Sequence, residues 1–117
     1  MIVTLSGPTP PAEQIRDQIR GWIATGQLAA GERLPSVRQL AKDLAIAPGT
    51  VAKAYKALEV EGYLTARTGG GTRVSANAST TNRAVLDAAR RLAQTSAETG
   101  TELDDAIRVL RAVWPPT

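Results

Sequence analysis

The stretch APGTVAKAYKALEVEGYL, residues 47–64, decides the fold of this chain. A Pro-Gly pair comes directly before apolar residues at the i, i+3, i+4 and i+7 spacing of one helix face: Val51, Ala54, Tyr55 and Leu58. Pro48 suits the first turn of a helix, where a missing N–H group costs nothing. Lys53 and Lys56 lie on the polar side of this helix. They are either ordinary solvated lysines or part of a surface directed at an anionic partner.

Another helix precedes this one across a very short connection. Ser36 and Gln39 form the S-x-x-Q pattern of a capping box, which predicts a helix that opens at Ser36. Its inner face consists of Val37, Leu40, Ala41 and Leu44. The connection over residues 45–47 is tight, and two helices joined by about three residues have the outline of a helix-turn-helix.

The chain before this pair predicts one more helix. Thr9 is the predicted N-cap, because Pro10 and Pro11 suit the first turn that follows it. Gly26 is expected to end the helix. Apolar residues at helical spacing give it one buried stripe: Ile15, Ile19, Trp22 and Ile23.

Short extended segments accompany the three helices. Residues 2–5, IVTL, form a β-like run, and Arg33-Leu34 is a very short extended piece. Residues 63–67 and 72–75 are strand candidates, and the glycines between them predict a hairpin loop. The order helix, short strand, helix, tight turn, helix and hairpin is that of a winged helix-turn-helix. The predicted fold class is therefore mainly α with a small β-hairpin wing.

The remaining chain predicts a second, smaller segment. Residues 75–80 form a polar linker, and two amphipathic helices follow over about residues 81–99 and 101–114. We expect a winged helix-turn-helix DNA-binding domain over residues 9–77 and a two-helix dimerisation segment over residues 78–117.

Composition narrows the function. The chain has no cysteine and no histidine, which excludes Ser-His-Asp and Cys-His catalysis and leaves no basis for predicting a metal or a cofactor. The net charge of +3 lies wholly in residues 1–76, which carry nine Lys/Arg and six Asp/Glu; residues 77–117 carry five of each. This surplus is a mild indication of an anionic partner. Because no membrane span or signal peptide is recognisable, we expect a cytoplasmic protein. Because histidine, cysteine and clustered carboxylates are absent, we expect that it is not an enzyme.

The helix over residues 47–64 presents its polar side near its N-terminus. The outward residues are Gly49, Thr50, Lys53 and Lys56, and the positive end of the helix dipole lies at the same place. This arrangement suits a helix in a major groove, with its N-terminal residues toward base edges. Ala47 is a poor N-cap, so a phosphate oxygen or water would satisfy the first-turn donors. Tyr55 is expected in the core, with its hydroxyl free to reach a phosphate at the rim.

Three motifs carry a resemblance to a known family. They are G-x-L-x-x-G-x-R-L-P-S at residues 26–36, T-V-x-x-A-Y-x-x-L-E-x-E-G-Y at residues 50–63 and G-x-G-T at residues 69–72. Together they resemble the DNA-binding domain of the GntR family of bacterial transcription regulators. The pattern after Thr50 and the short C-terminal segment resemble the YtrA-like subfamily in particular. That resemblance implies a small dimeric regulator, of a kind that frequently controls transporter operons, whose two C-terminal helices dimerise.

At matching positions the resemblance implies particular DNA contacts. Arg38 falls where the family has an arginine of the second helix that contacts DNA. Gly49 and Thr50 fall at the start of the recognition helix. Gly69 and Gly70 fall at the tip of the wing, which in the family enters the minor groove.

The chain also departs from the family pattern. Pro48 and Ala52 stand where many relatives have arginines that read guanine, Gly70 stands where a basic residue is common, and Arg73 replaces the usual aromatic residue. Base readout therefore rests on few side chains, each worth about 1–3 kcal/mol of discrimination. We expect either modest specificity or a larger share from DNA shape. Expected base readers are Arg38, Thr50 and Lys53, and expected phosphate contacts are Lys53, Lys56, Arg67 and Arg73. The full predicted DNA-binding set is Ser36, Arg38, Pro48, Gly49, Thr50, Lys53, Tyr55, Lys56, Arg67, Gly69, Gly70 and Arg73.

The two C-terminal helices have apolar faces with no third layer to cover them. These faces must pack on the N-terminal domain, on a partner, or on both. A two-fold dimer would bind double-stranded DNA as an inverted repeat. Because about 35 residues cannot enclose a typical metabolite pocket of about 300–1,000 Å³, a small-molecule effector stays unassigned. The predicted dimerisation residues are Val85, Leu86, Ala89, Leu92, Leu103, Ile107, Leu110 and Trp114.

The leading interpretation is a homodimeric transcription regulator, most plausibly a repressor. The first alternative is a winged helix used for protein–protein contact, whose polar face would show no salt-dependent affinity for nucleic acid. A second alternative is an RNA-binding module, which the scarcity of aromatic residues for base stacking disfavours.

Overall fold

The computed structural model describes residues 1–67, 70–76, 78 and 82–116, with the side chain of Arg67 left out. The predicted order of helices and wing is confirmed. The elements are α1 (Pro11–Ala24), α2 (Val37–Leu44), α3 (Pro48–Val60), β1 (Leu64–Arg67), β2 (Gly71–Val74), α4 (Arg83–Thr99) and α5 (Leu103–Val113).

The chain divides into two compact units, Met1–Thr80 and Thr81–Thr117. In the first unit α3 packs on both α1 and α2, so its apolar face is closed by helices on two sides. Leu58 and Val51 of α3 are fully buried, and Trp22 of α1 packs partly buried against the same core. The closed core consists of Val3, Ile15, Ile19, Ile23, Leu28, Leu34, Leu40, Ala41, Val51, Ala54, Tyr55, Leu58, Leu64 and Val74.

The helix starts agree with the sequence in part. The Oγ atom of Ser36 accepts the backbone N–H of Gln39 at 3.1 Å, which is half of the predicted capping box. The other half is absent, because the Gln39 side chain donates to Asp43 at 2.7 Å instead. At α1 the predicted cap, Thr9, is wrong: Pro10 occupies the N-cap position and makes no side-chain bond there. The Thr9 carbonyl accepts the Nε2 group of Gln14 at 2.5 Å.

A single left-handed residue fixes the turn between α2 and α3. Ala45 has a φ of 55° and is the one non-glycine residue with positive φ in the described part of the chain. The N–H of Ile46 bonds to the carbonyl of Ala41 at 3.0 Å, and that of Ala45 bonds to Lys42 at 3.2 Å. This is the Schellman closure, which satisfies the last carbonyls of α2 and turns the chain directly into α3.

The N-terminal run at residues 2–5 forms no strand, which corrects the expectation of a β-like element. Side chains of α1 take the place of a neighbouring strand. The carboxamide of Gln18 donates to the Thr4 carbonyl at 2.7 Å and accepts the Thr4 N–H at 3.0 Å. The Gln14 carboxamide accepts the Ser6 N–H at 2.9 Å. These bonds hold Val3 in the core.

The wing is an antiparallel pair with a third segment beside it. Leu64 lies opposite Val74, and Arg67 lies opposite Gly71. Backbone bonds from Gly31 to Val74 at 2.9 Å, from Leu34 to Thr72 at 2.9 Å and from Val74 to Glu32 at 2.8 Å attach residues 31–34 to the other edge of β2. The short extended piece predicted at Arg33-Leu34 is therefore confirmed as the outer member of this small sheet.

The second unit consists of α4 and α5. Asn82 caps α4 by accepting the N–H of Ala84 at 2.8 Å, and Gly100 ends it with a φ of 70°. Ala106 is the only buried hydrophobic residue among those described here, whereas Leu103 is 75% and Trp114 64% exposed. No helix in the described residues is both long and apolar enough to cross a membrane.

Candidate nucleic-acid interface

The N-terminus of α3 is exposed and lacks a side-chain cap. Ala47 is the N-cap residue and offers no acceptor, and Pro48 follows it as the first helical residue. The N–H of Thr50 reaches the Ala47 carbonyl at 3.1 Å. Ala47, Pro48 and Gly49 are exposed, and Thr50 is half-buried. The positive end of the α3 dipole thus faces an open surface, where an anion is favoured.

Gly49 has no structural reason within this chain to be glycine. Its φ is not positive, and nothing lies within 4 Å of the position where a Cβ atom would be. A side chain would therefore fit without strain, and alanine would favour the helix. A glycine at such a place leaves the backbone open to close approach by another molecule.

Three cations of the helix-turn-helix have no partner among the described residues. In the part of the chain that the structure describes, no side-chain hydrogen bond or ion pair involves Arg38, Lys42 or Lys53. All three side chains are exposed. By contrast, Arg16 and Arg20 of α1 both contact Glu61, at 3.9 Å and 3.3 Å. The free positive charge of the first unit is therefore not spread evenly. Lys42, one helical turn after Arg38, was not among the predicted contacts.

Lys56 differs from Lys53 in having a partner. Its Nζ atom lies 3.8 Å from a carboxylate oxygen of Glu59, and its side chain is 75% exposed. An exposed pair of this kind contributes little to stability, typically about 0–1 kcal/mol. Lys56 can therefore exchange Glu59 for a phosphate at small cost, so its predicted role stays open.

Tyr55 does not match the predicted free hydroxyl. The phenol is 2% exposed, and its Oη atom donates to the Pro35 carbonyl at 2.8 Å. Burial raises the pKa of the Tyr55 hydroxyl above its usual range. Tyr55 is therefore a core residue that ties α3 to the segment before α2, and the expectation that its hydroxyl is free is wrong.

The wing residues are described only in part. Gly69 and the side chain of Arg67 lie outside the described residues, while Gly70 is a half-buried turn residue. Arg73 is exposed, and its Nη1 atom donates to the Gly31 carbonyl at 3.2 Å. Ser36, the remaining predicted contact, is exposed and caps α2.

Five of the eight predicted dimerisation residues line one apolar groove of the second unit. An open groove of about 410 Å³ runs between α4 and α5, and its lining is almost entirely apolar. Val85, Leu86 and Trp114 do not line it; Val85 and Trp114 are largely exposed. The predicted residues that line the groove are Ala89, Leu92, Leu103, Ile107 and Leu110.

Comparison with known proteins shows similarity to bacterial transcription regulators. The pattern of the family described as bacterial regulatory proteins, gntR family, matches residues 11–74. The HTH-type transcriptional repressor YtrA of Bacillus subtilis is 47% identical over 73 residues, which are 62% of this chain and 56% of that protein. The chain thus spans only about half the length of that relative.

Two further proteins extend the similarity. The HTH-type transcriptional regulator Rv1152 of Mycobacterium tuberculosis is 34% identical over 111 residues, covering 95% of this chain and 91% of that protein. Among solved structures, the DNA-binding domain of AraR in complex with operator ORX1 is similar with a TM-score of 0.57 and 28% identity. That match covers 64% of this chain and 96% of the AraR domain.

Proposed function

Because the chain belongs to the GntR family of bacterial regulatory proteins, we propose that it is a transcription repressor that binds an inverted-repeat operator as a homodimer. The observation that carries the proposal is the exposed N-terminus of α3, which has no side-chain cap, together with the exposed and unpaired cations Arg38 and Lys53 of the same helix-turn-helix. The positive end of the α3 dipole and these positive charges are thus open to solvent. Such a surface fits the major groove of DNA.

The side chains divide into two groups by position. Arg38 and Thr50 lie in the first turns of α2 and α3, and Lys53 lies in the second turn of α3, where base edges come within reach. Lys56 lies further along α3, where a phosphate contact is favoured. Phosphate contacts position the protein, whereas base contacts carry sequence discrimination.

The second unit supports the homodimer. Its apolar groove and its exposed leucines lack a covering layer among the residues described for that unit. A second copy offers the same surface and so closes both grooves by two-fold symmetry. Two recognition helices would then meet DNA about 34 Å apart, or a multiple of it, which gives an inverted-repeat operator.

The repressor assignment rests on the relatives. The Bacillus protein is named a repressor, and the AraR domain was solved with an operator. Occupation of an operator by a small dimer blocks transcription without any enzymatic step. The family and these relatives are regulators rather than enzymes.

Selection of duplexes from a randomised pool, followed by binding at several salt concentrations, tests the proposal. We expect an enriched inverted repeat and a slope of log K against log salt near −7, if each dimer neutralises about eight phosphates. Enrichment of single half-sites would contradict the dimer as the reading unit. Absence of both enrichment and salt dependence would contradict DNA binding and favour a winged helix that contacts protein.

Two alanine variants test the division of roles. Lys56→Ala should weaken all duplexes about equally, because it removes a phosphate contact. Arg38→Ala should in addition reduce the difference in binding free energy between operator and random duplexes by about 1–3 kcal/mol. Equal losses of specificity from both variants would contradict the division.

A further inference from the structure

The outer face of the wing sheet brings two arginines together. Arg33 and Arg73 are directly paired across an antiparallel bridge, so their side chains leave the sheet on the same side. The inner side carries Leu34, Leu64 and Val74, which are all buried in the core. The arginines therefore lie on the solvent side, and both are exposed.

Nothing within the described residues neutralises this pair. Neither guanidinium forms an ion pair with a carboxylate there, and the one hydrogen bond of Arg73 goes to the neutral carbonyl of Gly31. Like charges directly opposite each other in a sheet are destabilising.

The guanidinium of Arg33 lies in the space next to Gly71 that a side chain would fill. A Cβ atom at Gly71 would lie 3.0 Å from Nε and 3.1 Å from Nη2 of Arg33, so the guanidinium occupies the space that any other residue would fill. Gly71 also has a φ of 72°, which side chains rarely adopt. The Arg33 guanidinium thus lies close to the backbone of β2 at Gly71.

We propose that Arg33 and Arg73 form a phosphate-binding face on the wing sheet, and that Gly71 is required there to seat the Arg33 guanidinium. The inference rests on the proposed DNA binding and adds Arg33, with the role of Gly71, to the phosphate contact already expected of Arg73. The Arg33 guanidinium lies toward Gly71 and that of Arg73 toward Gly31, so each can contact a phosphate oxygen of its own on this face. The planar fork of arginine suits such a contact, and the phosphate charge offsets the positive charge of the face.

The first test is the salt dependence of duplex binding by Arg33→Gln. Loss of one phosphate contact per protomer makes the slope of log K against log salt less steep by about 1, and so by about 2 per dimer. The loss is equal for operator and random duplexes. The matched control is Arg91→Gln, which removes one charge from an exposed arginine of α4 that has no ion pair among the described residues.

Thermal unfolding separates this role from a structural one. Because Arg33→Gln removes a like-charge pair, its melting temperature stays equal to that of the wild type or rises. A lower melting temperature with an unchanged salt slope would show that Arg33 only holds the wing, and would overturn the proposal.

A double-mutant cycle tests whether Gly71 is required to place the Arg33 guanidinium. Gly71→Ala strains the backbone in any background, but it displaces the guanidinium only when Arg33 is present. The loss of duplex affinity from Gly71→Ala should therefore be at least about twofold smaller in the Arg33→Gln background. Identical losses in both backgrounds would overturn the role of Gly71.

Failure of the inference and failure of the proposed function give different results. If the wild type binds duplexes and Arg33→Gln behaves as Arg91→Gln, the phosphate face is wrong and DNA binding stands. If the wild type binds no duplex at any salt concentration, both are wrong.

Discussion

The two units of this chain differ in how they use their apolar residues. The first closes fourteen hydrophobic residues into a single core. The second buries only Ala106 among its described residues and leaves large side chains such as Leu103, Val113 and Trp114 mostly exposed. Amphipathic patterning is nevertheless clear in both. A helix pattern therefore predicts an apolar face, but the number of elements around that face decides whether it is closed within one protomer.

The difference has an energetic consequence. The first unit has the layers it needs: α3 lies on α1 and α2, and the wing adds Leu64 and Val74 to the same core. The second unit has two helices and no further layer among its described residues. Its stability therefore depends on what covers the groove, and under the proposed function that is a second copy.

The largest expected effect comes from the same truncation made in each unit. Leu58→Ala should lower the free energy of unfolding by about 2–5 kcal/mol at every protein concentration, because Leu58 is fully buried. Leu92→Ala, in the groove, should cost less, and its cost should grow with protein concentration as the dimer forms. Chemical denaturation at two concentrations measures both. Equal, concentration-independent costs would remove the distinction between the units.

A charge introduced into the groove tests whether the second unit carries the dimer contact. Leu110→Glu places a carboxylate on the apolar surface between α4 and α5, so a buried dimer contact becomes unfavourable. We expect a monomer in analytical ultracentrifugation, with operator affinity reduced by at least about tenfold, since one protomer then binds one half-site. Glu98→Gln, on the polar side of α4, is the control. A dimer that survives Leu110→Glu would mean that another surface carries the assembly.

Tyr55 tests the core of the first unit through pH. Burial raises its pKa in the folded state, so above about pH 10 the unfolded chain releases the phenol proton while the folded chain retains it. The stability that the protonated Tyr55 contributes at lower pH is therefore lost as the pH rises above about 10. Tyr55→Phe should lower the free energy of unfolding by about 1 kcal/mol at neutral pH, because it removes the hydrogen bond to the Pro35 carbonyl. It should also make the fall of the free energy of unfolding at alkaline pH less steep. Tyr63→Phe is the control and should leave the steep decline in place.

The smallest expected change compares two glycines of the first unit. Gly21 in α1 and Gly49 in α3 both have open space where a Cβ atom would lie, and neither has positive φ. Alanine at either position should raise the free energy of unfolding by about 0.4–1 kcal/mol. Only Gly49→Ala should weaken operator binding. If the two variants bind alike, the start of α3 does not approach DNA closely.

The sequence predicted what depends on neighbouring residues. Helix periodicity, the proline at the start of α3 and the Ser36 cap are local features, and each lies where the pattern indicated. The predicted start of α1 was wrong because Pro11 disfavours helical backbone at the residue before it. Pro10 therefore stays extended, with a ψ of 137°, and the helix begins at Pro11.

The features that were missed depend on residues far apart in the chain. Gln18 takes the place of a strand for Thr4 across fourteen residues, and the Tyr55 hydroxyl finds the Pro35 carbonyl across twenty. The pairing of Arg33 with Arg73 requires the wing to be folded first. Of the predicted DNA-binding set, the pattern placed Arg38, Gly49 and Lys53 on the exposed surface as expected. The exposure of a side chain can be inferred from helix periodicity, whereas its hydrogen-bond partners depend on residues far away in the sequence.

The two tryptophans give each unit its own optical reporter. The chain has two, Trp22 against the core of the first unit and Trp114 at the end of α5 in the second. Replacement of either by phenylalanine leaves a single tryptophan, whose emission can be excited apart from that of the two tyrosines. Trp114 fluorescence should shift to the blue and resist quenching by acrylamide as protein concentration rises, while Trp22 emission should stay constant. Assembly and folding can therefore be followed separately in one unlabelled protein.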